Sequence, residues 1–177
     1  MIANQPAETL YQMALSTSRT PAFYTEFGAE DTIDGRFDLL CLCVSLVMFR
    51  LRKIVHKANA DAVVAQDINQ RLYDIMFADM DLTLREMGVG DLGVAKRVKI
   101  MSEAFTGRLT AYSATFDEVD ESALAAALAR NIGRREEASV AELKLASHVL
   151  GTVAKLEKMD DGIFLSGKVN LEDIITA

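Results

Sequence analysis

The chain has 177 residues, half of them hydrophobic and a quarter charged, enough to bury a substantial core without disulfide or metal staples. A formal charge of −7 excludes indiscriminate binding to nucleic acid and leaves no broadly basic face for an anionic membrane. Its two prolines, Pro6 and Pro21, leave everything beyond them open to helix, which abundant Ala and Leu favour.

In chain order, Ala7 to Ser18 is expected to form a first helix with Leu10, Tyr11, Ala14 and Leu15 inward. The Thr20–Pro21 step ends it, because proline pushes its predecessor out of helical geometry. The segment PAFYTEFG is aromatic enough to dock on the core, and EDTIDGR then supplies turn chemistry, with Asp31, Thr32 or Asp34 as cap.

Phe37 to Lys57 is the most hydrophobic element. Its uncharged run, Leu39 to Phe49, falls well short of the ~20 residues of a membrane-spanning helix, so a buried central helix is expected. Arg50, Arg52, Lys53 and Lys57 suit its C-terminus. Cys41 and Cys43, two residues apart on a helix, point to nearly opposite sides and share neither a metal nor a disulfide.

Ala60 to Met87 is expected as the next helix. Leu72, Ile75, Met76 and Met80 mark its apolar face, and Asp67, Arg71, Asp74, Ala78, Asp81 and Arg85 its solvated one. Asp67–Arg71 and Asp81–Arg85 have the favourable acid-before-base order. Asp79 falls off that strip and needs a cation or a hydrogen-bond donor.

Gly88 is placed to end the helix in left-handed geometry, and Asp91 is read as the N-cap of the next. Val94, Val98, Met101, Phe105, Leu109, Tyr112 and Phe116 follow at three- and four-residue steps, so the two long helices should fold back as an antiparallel hairpin. FDEVDES is expected as a loop, with Asp120 or Ser122 capping a short helix to Asn131. A last long helix, Glu136 to Lys158, is expected to bury Val140, Leu143, Ala146 or Ser147, Leu150 and Val153, before an extended or irregular tail. The expected fold is one all-α domain, residues 1–177, of about six helices around a buried central helix. Phe37, Leu40, Val44, Val47, Met101, Phe105 and Tyr112 are its expected core.

Gly88, Gly90 and Gly93 spell the G-x-G-x-x-G of dinucleotide sites, but a helix rather than a strand precedes them and Asp91 stands where phosphate would lie. Asp79, Asp81, Glu86 and Asp91 could form a carboxylate metal site. Arg85, Lys96 and Arg97 make a salt-bridge network the better reading. His56 and His148 have no partner at ligand spacing.

The residues also carry a family resemblance. RTPAFY from Arg19, DTIDGRFD from Asp31, and the block DMDLTLREMGVGDLGVAKRVKIMSEAF from Asp79 resemble the ubiquinol–cytochrome c chaperone family. Gly107–Arg108, Ala111–Tyr112, and Leu124, Ala125, Leu128, Ala129, Arg130 and Asn131 complete the match, which spans Arg19 to Asn131. Relatives often have His where Cys43 stands and Tyr where Thr106 stands, so a haem contact through that His does not carry over.

The resemblance implies a non-enzymatic assembly chaperone of the cytochrome bc1 complex, without a cofactor, holding newly made cytochrome b with a second small assembly factor. Other bc1 subunits are further candidate clients, and the acidic balance fits ribosomal contact poorly. A metal-dependent enzyme and a helical lipid or quinone carrier are the alternatives. MIANQPAETLYQM lacks the features of a secretory signal or a mitochondrial presequence, so a cytoplasmic location is expected, with peripheral contact at the inner membrane. The candidate partner-binding residues are Asp79, Asp81, Arg85, Glu86, Gly88, Asp91, Lys96 and Arg97 around the central turn, together with Arg36.

Overall fold

The structure, a computed structural model, describes residues 4–169, and these contain helices and no strand. In chain order the helices are α1 (Asn4–Ser18), α2 (Pro21–Thr25), α3 (Ile33–Val55), α4 (Ala60–Glu86), α5 (Asp91–Glu118), α6 (Glu121–Asn131), α7 (Val140–Lys158) and α8 (Asp161–Leu165). Six are long, matching the expected number; α2 and α8 are short additions.

The expected central helix is α3. It is capped by Thr32, whose hydroxyl accepts from Gly35 N at 3.1 Å, and every residue from Asp38 to Leu51 is buried. Helices α1, α4, α5 and α7 pack around it. Cys41 and Cys43 are free thiols inside this core, and burial pushes both pKa values up. Among the described residues no helix is long and apolar enough to cross a membrane.

The α4–α5 hairpin forms as expected, and Val94, Phe105, Tyr112 and Phe116 are buried along its inner face. Asp79 finds its donor across the bundle, where Tyr11 Oη donates to Oδ2 at 2.5 Å. Burial and that bond push the phenol's pKa up.

Five expectations need correction. Asp91 is not the N-cap: Gly90 holds that position in extended geometry, and Asp91 is the first helical residue, its carboxylate drawn to Arg85. FDEVDES is not a loop, since α5 runs to Glu118 and one left-handed residue, Val119 (φ 53°), makes the break before Asp120 caps α6. The last long helix begins only at Val140; Ala146, Leu150 and Val153 are buried as expected, but Val140 and Leu143 are 68% and 44% exposed. Ser139 and Glu142 close a capping box, Glu142 is buried, and Leu145, Val149 and Leu156 join the buried face. The tail starts with α8, capped by Asp160 and buried through Phe164; residues 170–177 lie outside the described residues. Finally, Phe37 and Met101 are only half-buried, because no element among the described residues covers their outer sides.

Candidate functional site

The turn between α4 and α5 depends on Gly88, at φ 82°, a conformation that side chains other than glycine's rarely adopt. Arg85 spans this turn. Its Nε donates to Asp81 at 2.6 Å and its Nη1 pairs with Asp91, and both carboxylates push its pKa further up. Glu86, Lys96 and Arg97 are exposed and make no ion pair among the described residues. Arg36 pairs with Asp31 at 2.7 Å, also at the surface.

Beside the hairpin an apolar groove runs between the first turns of α3, the last turns of α4 and the start of α5. It consists of two adjoining basins. The one nearer α1 has a volume of about 190 Å³, and Leu15, Leu40, Met80 and Thr83 contribute to it. The one nearer α5 has a volume of about 570 Å³ and reaches Asp34, Arg97 and Ile100. Ile33, Phe37, Leu84, Met87 and Met101 line both. Methionine is unbranched and polarizable, so Met80, Met87 and Met101 make a lining that adapts to irregular apolar shapes. Arg19, Arg36 and Asp79 sit at one end of the groove and Arg97 at the other.

Of the residues singled out in the sequence, Arg36, Asp79 and Arg97 line the groove. Asp81, Arg85, Glu86, Gly88, Asp91 and Lys96 do not. The apolar walls escaped sequence reasoning. One signal was present: Met80, Leu84 and Met87 continue an i, i+4, i+7 stripe to the end of α4.

Behind Phe37 lies a buried charge cluster. Asp38 is fully buried and accepts from Arg108 Nη2 at 2.6 Å and Arg134 Nη2 at 2.8 Å. Burial lifts the Asp38 carboxyl to a pKa of about 6, against the opposing pull of the two guanidiniums. Among the described residues no three His, Cys, Asp or Glu side chains gather at metal-binding distance.

Fold and surface together define a helical class, built on a buried central helix with a methionine-lined groove beside a charged hairpin. The family model described as ubiquinol-cytochrome C chaperone matches residues 25–171, and the chain belongs to that family. Among solved structures it is similar to the crystal structure of the Cbp3 homolog from Brucella abortus. The identity is 33%, covering 97% of this chain and 92% of that one, with a TM-score of 0.82. A search of curated proteins found no match.

Proposed function

We propose that the chain is a non-enzymatic chaperone that holds an apolar segment of newly made cytochrome b in the groove between α3 and the α4–α5 hairpin. The supporting observation is the groove's solvent-facing apolar wall, where Ile33, Met87 and Ile100 are 58%, 48% and 54% exposed. Adjoining apolar surface left open to water beside a charged rim is characteristic of a protein-binding site. Family membership supports a role in bc1 assembly, and the family resemblance points to cytochrome b as the client. The chaperone works at the cytoplasmic face of the membrane, in peripheral contact with it.

The test is complementation of a strain lacking this gene, read as the b-type haem spectrum of its membranes. Met87→Glu puts a charge into both basins at a half-exposed position and should abolish rescue while the protein stays folded. Lys96→Gln with Arg97→Gln removes the rim cation Arg97 and its exposed neighbour Lys96 and should leave melting within a few degrees of the parent, because neither holds an ion pair among the described residues. That double variant should also rescue poorly, since rim charges set encounter rate and specificity. Full rescue by both variants would place the client elsewhere.

A further inference from the structure

Arg108 stands outside the groove, against the back of the wall common to both basins. Its guanidinium carbon is 5.7 Å from the centroid of the Phe37 ring, and its Nη2 is held by Asp38 at 2.6 Å. Asp38 directly follows Phe37, so one turn of α3 both anchors the cation and presents the ring. The remaining donors of this guanidinium, Nε and Nη1, are buried without an acceptor among the described residues. Stranding two donors is costly, and a Met or Leu at this place would avoid it. The contacts that repay a planar cation here are the buried Asp38 carboxylate and the aromatic face of Phe37. Phe37 itself is half-buried, with its outer side free to touch whatever enters the groove.

We infer that Arg108 is a positioning residue for the groove: clamped by Asp38, it fixes the Phe37 ring as the wall between the two basins and so sets the shape of apolar segment they accept. Arg134, which shares Asp38 but is not stacked on the ring, supplies the internal control. The inference rests on the groove being the client site, and the experiment separates the two.

The protein is labelled with 4-fluorophenylalanine, and the Phe37 resonance among its eight phenylalanines is identified by its loss in Phe37→Leu. Arg108→Met and Arg108→Gln should each shift or broaden that line and leave the lines of Phe23, Phe27 and Phe164 in place. Groove affinity is read by fluorescence anisotropy with a labelled, leucine-rich amphipathic helical peptide as probe. Loss of Arg108 should weaken binding about three- to tenfold, the range expected for losing a partly desolvated cation–π contact. In the Phe37→Leu background the same change should have no further effect.

An unmoved Phe37 line in the Arg108 variants overturns the assignment. So does additivity with Phe37→Leu, or an equal response to Arg134→Gln, either of which would mark a general loss of ion pairing. If Arg108→Met fails to fold, Arg108→Gln, which retains a hydrogen bond to Asp38, decides the matter by the same criteria. If the peptide binds Met87→Glu as tightly as the parent, the groove reading falls, and the Phe37 resonance still judges Arg108.

Discussion

Arg50 and Asp161 should respond very unequally to substitution. Arg50 is the largest fully buried side chain among the described residues, and its partner Asp161 is 15% exposed at the start of α8. Arg50 Nη2 pairs with Asp161 and donates to the Met159 carbonyl at 2.7 Å, and the guanidinium lies 5.6 Å from the Phe164 ring centroid. Asp161 also accepts from Lys57 Nζ at 2.6 Å, at the surface. Asp161→Ala leaves a cation in the core, and removing one partner of a buried pair costs about 3–5 kcal/mol. The surviving carbonyl bond and ring contact bring the expected loss to about 3 kcal/mol, or roughly 6–12 °C of melting temperature for a protein of this size. Arg50→Met removes the charge, keeps the stem and relieves Nε, which is buried without an acceptor among the described residues. Asp161 then retains Lys57 near water. The lost hydrogen bond and ring contact should leave a cost of about 1 kcal/mol or less. Urea melts followed by circular dichroism, with slopes compared to confirm a common unfolding reaction, measure both. An Arg50→Met loss equal to or above that of Asp161→Ala would refute the desolvation argument.

Three further outcomes are expected. Phe105→Ala, which empties a fully buried site between Tyr73 and Phe77, should cost about 3–5 kcal/mol in the same melts, and a loss under about 1 kcal/mol would remove it from the core. Asp38, with its pKa lifted to about 6, binds more protons folded than unfolded, so its contribution is present below about pH 4 and is lost as pH rises through about 6. Stability measured between pH 4 and 7 should therefore decline less steeply in Asp38→Asn; an unchanged slope would show that the carboxyl titrates normally. Asp161 has the opposite sign: Lys57 and then Arg50 hold its pKa below the usual carboxylate range, so its contribution is present above about pH 4 and is lost as pH falls through the lower folded value. Asp161→Asn should flatten that acid limb, and a parent-like limb would remove Asp161 as its cause.

The fold was legible where a local pattern carries the information. An uncharged apolar run placed the buried α3, and a three- and four-step stripe placed α5. Gly88 placed the turn, and i, i+4 spacing placed the Asp67–Arg71 and Asp81–Arg85 pairs, at 2.9 Å and 2.6 Å. What escaped depends on distant partners. The buried charges of Asp38 and Arg50 are satisfied 70 and 111 residues away, beyond the reach of any spacing rule. The start of α7 is set by a two-residue contact, Ser139 with Glu142, so periodicity alone placed Val140 and Leu143 inward where they are exposed. The groove escaped for a related reason. Periodicity says which face of a helix is apolar and is silent on whether another element covers it. Phe37 and Met101 were thus expected in the core, and they are the residues the packing leaves half open.

The charges around the hairpin divide by what they touch, and the division bears on how a chaperone would release its client. Arg85 is committed to Asp81 and Asp91 across the turn, so its work is spent on the crossing of α4 and α5. Exposed pairs of this kind contribute only about 0–1 kcal/mol each, enough to bias a turn that Gly88 already permits. Arg97 is unpaired among the described residues and lines the wider basin, where it can meet an incoming segment at no cost to the hairpin. On the proposed reading, binding energy comes from apolar walls that already sit partly in water and are shaped by three methionines. Such a surface repacks around different sequences and gains less per contact than a rigid pocket. The rim cation adds mainly to the rate and orientation of encounter. Modest affinity with fast capture suits a protein that must hold a membrane subunit and then give it up, and it predicts that neutralising Arg97 slows association more than it speeds dissociation.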